Sequence, residues 1–144
     1  MGKVNVDTLN EFLRGEISAV ETYRMALDKV EDAAARATLQ DNQRSHQERV
    51  RLIREEIIRM GGDPATSSGA WGTWAKAVEG TAKVLGTKAA IAALESGEDH
   101  GVKDYDADLS ESEDHRVRTL LTTQLRPQQA RTHRALSDLK KSLS

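Results

Sequence analysis

Two glutamates and two histidines fall at positions where a helical chain would bury apolar side chains. They are Glu16, His46, Glu98 and His133. An ionised carboxylate buried without a partner costs several kcal/mol or more, so these positions need a counter-charge or a metal ion. A neutral imidazole beside a carboxylate is a donor set that transition metals accept. The four residues therefore predict a metal site, and a buried Glu–His hydrogen-bond network is the alternative.

Four amphipathic helices must position these side chains. The predicted core positions recur mainly at alternating steps of four and three, which is the heptad pattern of helices packed in a bundle. In the first two helices they are Leu9, Leu13, Glu16, Val20, Tyr23, Leu27 and Val30, then Leu39, Gln43, His46, Val50, Ile53, Ile57 and Met60. In the last two they are Ile91, Leu94, Glu98, Val102, Tyr105 and Leu109, then Val117, Leu121, Leu125, His133, Leu136 and Leu143. The chain is therefore predicted to be all-α.

The lengths of the connections predict how the four helices are arranged. Residues from about 4 to 60 form a first antiparallel hairpin, which turns near residue 31. Residues from about 87 to 143 form a second, which turns near residue 112. The segment between them, about 61 to 86, is a long crossover with one short helix. We expect a single four-helix-bundle domain over 1–144, in which two hairpins are joined by one long crossover.

Glycine and proline mark the irregular points of this arrangement. Gly61 and Gly62 are typical of the end of a helix. Pro127 lies inside the predicted last helix and removes a backbone donor, so we expect a kink or a bulge there. Glu98 and His133 are unevenly spaced about their turn, and this irregularity or the turn itself must absorb the difference.

The two hairpins resemble each other in sequence. RGEISAVETYRMAL in the first helix resembles SGEDHGVKDYDADL in the third, and Arg44-Ser45-His46 resembles Arg131-Thr132-His133. Such internal similarity predicts two copies of one helical hairpin, related by a pseudo-twofold axis. Within the first copy, Glu16 and His46 lie equally far from the turn near residue 31 and should be level. The repeat is expected to bring all four candidate residues together at the centre of the bundle.

The sequence resembles the ferritin-like superfamily, which includes the rubrerythrins, and within it a bacterial branch of short proteins of unknown function. The resemblance runs from LNEFLRGEISAVETYRMAL through GGDPATSSGAWGTWAKAVEG to GEDHGVKDYDADL and the last helix. It implies the ferritin-like antiparallel bundle. In that superfamily the first and third helices each supply a Glu, and the second and fourth each supply Glu-x-x-His, around two iron or manganese ions. The resemblance therefore implies Glu16 and Glu98 as carboxylate ligands and His46 and His133 as nitrogen ligands.

Two positions depart from the superfamily pattern. Gln43 and Ala130 stand three residues before the two histidines, where the superfamily carries the glutamates that commonly bridge the metal pair. The implied site is a reduced one, with two Glu and two His ligands holding one or two ions of iron, or else manganese or zinc. Glu95, one turn before Glu98, is an alternative ligand, and Gln43 is expected to hydrogen-bond a ligand.

Tyr23 and Tyr105 lie two helical turns beyond Glu16 and Glu98. In related proteins such tyrosines hydrogen-bond a ligand carboxylate on a neighbouring helix. The resemblance implies the same role here, and ordinary packing in the core is the alternative.

Composition excludes several other classes of function. The chain has no cysteine, which excludes disulfides and thiolate metal sites, and its net charge of −2 gives no electrostatic footprint for nucleic acid. Arg44, Arg49, Arg51 and Arg54 alternate with glutamates, which predicts a solvated helix face. No apolar run is long enough for a membrane span, so we expect a soluble, cytoplasmic protein. Trp71 and Trp74 on the crossover are predicted to plug the bundle or to cover a subunit contact.

Two hypotheses of function follow. The first is a ferritin-like metal-binding protein, with iron as the expected metal and oxygen or peroxide as the reactant if it is an enzyme. The second is a metal-free helical bundle acting as a stress or interaction module, in which the Glu/His cluster is a structural hydrogen-bond network. Both leave open whether the chain is an enzyme and whether it forms a homo-oligomer. Iron storage in a cage is the weakest alternative, since no fifth helix or acidic mineral-nucleating patch is evident.

Overall fold

The computed structural model of the protein describes residues 6–69, 76, 80, 86–109 and 114–143, and within them all regular secondary structure is helical. The described ranges contain the four long helices that the sequence predicts. They are α1 (Val6–Lys29), α2 (Ala33–Arg59), α3 (Thr87–Leu109) and a last helix made of α4 (His115–Leu120), a π segment (Leu121–Leu125) and α5 (Arg126–Ser142). Across the described ranges, none of the helices has the length and apolar character needed to cross a membrane. Trp71, Trp74 and most of the predicted crossover helix lie outside the described residues.

An aspartate caps the second helix of each half of the chain. Asp32 lies just before α2, and its side chain accepts a hydrogen bond from the Ala35 amide at 2.8 Å. Asp114 lies just before α4 and accepts from the amides of Arg116 and Val117 at 2.9 and 3.1 Å. An Asp at this position satisfies amides that have no partner within the helix. The caps therefore fix where the chain turns in each half.

The C-terminus of α2 is closed as the two glycines predict. Gly61 has φ of +81°, a left-handed conformation that glycine adopts without steric cost. Its amide donates to the Ile58 carbonyl, and the Gly62 amide donates to the Ile57 carbonyl, both at 2.9 Å. This pair of bonds is the Schellman motif, which ends a helix.

The last helix carries the irregularity that Pro127 predicts. The Arg126 amide donates to the Leu121 carbonyl five residues earlier, which is the π-helical spacing. Pro127 has no amide hydrogen to donate to the carbonyl of Thr123, so an α-helical bond is missing there in any case. The backbone remains helical at Leu121, Leu125 and Arg126, and the last helix therefore continues through the bulge.

The helices pack chiefly in two pairs, α1 with α2 and α3 with α5. Their buried apolar side chains form two separate clusters. The first consists of Leu9, Phe12, Leu13, Ile53, Ile57, Tyr105, Val117, Leu121 and Leu125. The second consists of Tyr23, Ala26, Val30, Ala35, Leu39, Ile91, Leu94, Leu136 and Leu139. Polar side chains lie between the two clusters and divide the core.

The core face of α2 differs from the predicted one. Gln43 and Val50, which we expected in the core, are half-buried, while Asn42 and Arg49 are fully buried. Asn42, His46, Arg49 and Ile53 also follow a perfect heptad rhythm. The prediction of a solvated Arg49 was wrong. A heptad spacing fits either Gln43 and Val50 or Asn42 and Arg49 in the core, and the apolar side chain of Val50 favoured the first choice.

Candidate functional site

Six polar side chains form a layer between the two apolar clusters, and each is at most 5% exposed. We call them the polar layer. They are Glu16 on α1, His46 and Arg49 on α2, Glu98 on α3, and Gln129 and Thr132 on α5. All four helices thus contribute to one buried hydrogen-bonded group.

His46 lies between the two buried carboxylates. Its Nδ1 is 3.0 Å from Oε1 of Glu16, and its Nε2 is 2.8 Å from Oε2 of Glu98. A carboxylate only accepts hydrogen bonds, so both ring nitrogens must carry a proton for both contacts to form. Burial lowers the pKa of His46, but the neighbouring carboxylates outweigh burial and the Arg49 charge, and the pKa is raised above 6.5. His46 is therefore an imidazolium in this arrangement.

Glu98 receives hydrogen bonds from three helices. Beyond its contact with His46, its Oε1 accepts from Gln129 Nε2 at 2.7 Å and from Thr132 Oγ1 at 2.8 Å, while Tyr23 donates to Oε2. Burial raises the pKa of Glu98, but His46, Arg49 and the hydrogen bonds outweigh it and lower the pKa to about 2. Glu98 is thus a fully partnered carboxylate ion.

The two tyrosines lie beside the glutamates crosswise between the halves of the chain. Tyr23 on α1 donates to Glu98 on α3. Tyr105 on α3 is buried close enough to Glu16 on α1 for that carboxylate to raise its pKa. Burial, followed by the adjacent carboxylate, raises the pKa of each tyrosine well above 10. Asn42 donates to the Tyr23 hydroxyl at 3.0 Å. The predicted hydrogen bond between a tyrosine and a glutamate on a neighbouring helix is therefore confirmed for Tyr23.

Arg49 is fully buried, with 0% of its surface exposed. Its Nη1 is 3.4 Å from Oε2 of Glu16 and donates to Gln129 Oε1. Its Nη2 donates to Thr132 Oγ1 at 2.8 Å and lies 3.4 Å from His46 Nε2. The guanidinium therefore occupies the space between the glutamate of α1 and the polar side chains of α5.

The charges of the polar layer cancel. Glu16 and Glu98 supply two negative charges, while Arg49 and protonated His46 supply two positive ones. Burying an uncompensated charge costs far more than burying a paired and hydrogen-bonded one. The layer is thus neutral and closed without any additional ion.

The arrangement does not fit the metal ions that the ferritin-like resemblance implies. A histidine ligand must offer a neutral ring nitrogen to the metal, whereas both nitrogens of His46 lie within hydrogen-bond distance of a carboxylate oxygen. Arg49 already lies against Glu16 and His46 with its own positive charge. Within the part of the chain that the structure describes, no three His, Asp or Glu side chains are arranged to hold a metal ion.

Three of the four predicted site residues come together, namely Glu16, His46 and Glu98. Thr132, one residue before His133, contacts Glu98. Thr132, and not His133, therefore joins Glu16, His46 and Glu98. His133 is half-buried and lies close enough to Glu95 to lower the pKa of that carboxyl, after larger effects of neighbouring hydrogen bonds.

Glu95 and Gln43, which the sequence suggested as a ligand and as a ligand's hydrogen-bond partner, form contacts outside the polar layer. Glu95 accepts hydrogen bonds from Ser137 and from Lys140, the latter at 3.1 Å. Gln43 donates to the Val20 carbonyl at 3.3 Å, across the α1–α2 pair. Ala130 is half-buried.

Sequence reasoning missed Arg49, Gln129 and Thr132. A signal for each was present, since seven residues separate Asn42 from Arg49, Gln129 from Leu136 and Leu125 from Thr132. Arg49 and Thr132 each stand beside a residue that is a more usual core residue or ligand, Val50 in α2 and His133 in α5. The spacing thus allows these polar residues on the core face, but it does not show which partners compensate them.

The fold and the site define an all-helical protein with a buried, charge-balanced polar layer. Residues 4–111 match the model of a family described as a domain of unknown function, DUF2383. The match covers three quarters of the chain, and the chain belongs to that family. Glu16, His46, Arg49 and Glu98 lie inside the matched segment. No curated protein and no solved structure matches the chain.

Proposed function

We propose that this protein is a ferritin-like helical bundle that functions without a metal ion, as a structural or interaction module. In this proposal Arg49 and protonated His46 supply the positive charge that metal ions supply in related bundles. The observation that carries the proposal is the fully buried Arg49 guanidinium, held against Glu16, Gln129 and Thr132. The polar layer would then serve to fix how the helices pair.

The contacts between helix pairs support this structural role. His46 on α2 reaches Glu98 on α3, and Asn42 on α2 donates to the Thr132 carbonyl on α5 at 3.0 Å. Purely apolar contacts are tolerant of small shifts along a helix, whereas a buried polar network is satisfied in a single register. The network therefore favours one register of the α1–α2 pair against α3 and α5.

Metal loading tests the proposal directly. The purified protein is incubated anaerobically with ferrous iron, desalted and measured by elemental analysis, and its Tm is recorded with iron, manganese, zinc or chelator. We expect metal only at background levels and a Tm that none of these additions changes. Binding of one or two ions per chain, lost on Glu16→Ala but kept on Glu21→Ala, would contradict the proposal. Glu21 is the matched control because it lies on α1 outside the polar layer.

Iron binding, with oxygen or peroxide as reactant, is the second candidate. The observation in its favour is that two carboxylates and an imidazole, Glu16, Glu98 and His46, lie together in one buried layer. This candidate requires Arg49 to withdraw and His46 to lose a proton. A crystal soaked with ferrous iron distinguishes the candidates, since anomalous scattering at the iron edge would give a peak in the polar layer only for the second.

A further inference from the structure

The Arg49 guanidinium is surrounded by groups that are also able to bind a metal ion. Its neighbours are a carboxylate, an imidazole, an amide oxygen and two hydroxyls, from Glu16, His46, Gln129, Thr132 and Ser45. An arginine offers five N–H donors, but Nε of Arg49 has no hydrogen-bond partner among the described residues. The surrounding groups therefore match the positive charge of a cation better than they match all five N–H donors of an arginine.

The neutrality of the layer requires Arg49, since His46 supplies only one of the two positive charges that balance the carboxylates. Without Arg49, the two carboxylates would face at most one imidazolium, which leaves a net negative charge in a buried site. Such a site lowers its free energy by taking up a proton or a cation. A divalent cation restores neutrality if His46 also releases one proton, and the neutral imidazole is then able to serve as a ligand.

We propose that Arg49 alone keeps the polar layer free of metal, and that a neutral side chain at this position opens a site for one divalent transition-metal ion. The expected ligands are Glu16, Glu98 and His46, with Gln129 and Thr132 beside them. Imidazole and carboxylate together suit ions such as Co²⁺ and Zn²⁺. The inference rests on the proposed function, since it requires the wild-type layer to be metal-free.

Cobalt is the probe, because Co²⁺ bound to such ligands has a visible absorption spectrum. Two variants remove the cation, Arg49→Gln and the more apolar Arg49→Met, and Arg49→Lys keeps it. Arg54→Gln is the matched control, because Arg54 is an exposed arginine on the same helix. We expect about one Co²⁺ per chain in the Gln and Met variants, with Tm raised by roughly 5–10 °C at a hundredfold excess over Kd. Wild type, Arg49→Lys and Arg54→Gln should bind none.

The outcomes separate this inference from the proposed function. If the Gln and Met variants fold but bind no Co²⁺, or if Arg49→Lys binds as well as they do, the inference is wrong and the proposed function stands. If wild type itself binds Co²⁺ in the polar layer, both are wrong. A variant that unfolds without metal should recover its helical circular dichroism on adding Co²⁺, and no recovery counts against the inference. Adding Glu16→Ala to Arg49→Gln should abolish binding.

Discussion

At the scale of single residues, the polar layer balances its two carboxylates with positively charged side chains. A guanidinium is planar and carries five N–H donors, so the fork of Arg49 can bind several acceptors at once. His46 contacts Glu98 directly. The charge of Arg49 acts on Glu98 from a longer distance and helps to lower its pKa. Each carboxylate also has a tyrosine beside it, and Arg49 Nε is the one buried side-chain atom of the layer without a hydrogen-bond partner among the described residues.

Removing charges singly and in pairs tests this balance. His46→Leu leaves two carboxylates with one guanidinium, and Glu16→Leu leaves two cations with one carboxylate. Breaking a buried pair in this way costs about 3–5 kcal/mol. The double variant keeps one charge of each sign, so we expect it within about 2 kcal/mol of wild type, the remainder being the contacts that Arg49 loses with Glu16 and Glu98 loses with His46. Denaturant unfolding at pH 6 measures all three.

The result is read as a double-mutant cycle, in which a large favourable coupling between Glu16 and His46 is expected. His133→Leu with Glu16→Leu is the control cycle, because His133 lies near Glu95 instead. Additive losses for Glu16 and His46, with no coupling, would show that the two charges do not balance each other.

At the scale of helices, the two halves of the chain are offset by almost the same number throughout. Separations of 82 residues relate Glu16 to Glu98, Tyr23 to Tyr105, and the caps Asp32 to Asp114. Separations of 83 relate His46 to Gln129 and Arg49 to Thr132. The additional residue must lie in the last helix between its cap and Gln129, and the π segment lies there. A π bulge accommodates one extra residue without ending the helix.

This account predicts where the last helix tolerates a deletion. In a Pro127→Ala background, removing Thr123, an exposed residue of the π segment, should convert the bulge to regular α-helix. The register on both sides is kept, so we expect the free energy of unfolding to change by less than about 1 kcal/mol from that background. Circular dichroism and denaturant unfolding provide the measurement.

Deleting exposed Arg131 in the same background is the matched control. It rotates everything beyond it by about 100°, which takes Leu136 and Leu139 off the core. The expected loss is at least about 3 kcal/mol from those two side chains. Equal losses for the two deletions would contradict the assignment of the extra residue to the π segment.

Much of this architecture was predictable, because helix number, turns, caps and the irregularity near Pro127 are local features. The α1–α2 part of the site was predictable too, since Glu16 and His46 lie level about a short turn. The last helix was not, because alignment of His133 with His46 relied on three similar residues and overlooked the offset set by the caps. The role of Arg49 could not follow from local sequence, as arginine is buried only where partners from other helices compensate it.

At the scale of the whole molecule, the polar layer makes stability depend on pH at both ends. The pKa of Glu98 falls from 4.5 to about 2 on folding, so its contribution is present above pH 4.5 and is lost as pH falls toward 2. Glu48 and Glu95 have lowered pKa values as well and add to this acid limb. The loss of stability at acid pH is therefore shared among several carboxyl groups. Between neutral pH and the pH at which the tyrosines titrate, we expect the change in stability to report on His46.

The raised pKa of His46 makes stability fall, not rise, as pH increases. The folded protein binds its proton more tightly than the unfolded chain does, so the contribution is complete below pH 6.5 and is lost as pH rises through the folded pKa. Within that window each pH unit should remove up to about 1.4 kcal/mol of stability. Tm measured from pH 4 to 9 should therefore be highest between 4.5 and 6.5. The alkaline fall should vanish in the Glu16→Leu, His46→Leu double variant and persist in His133→Gln. An alkaline fall of the same size in the double variant would mean that His46 is neutral in the folded protein.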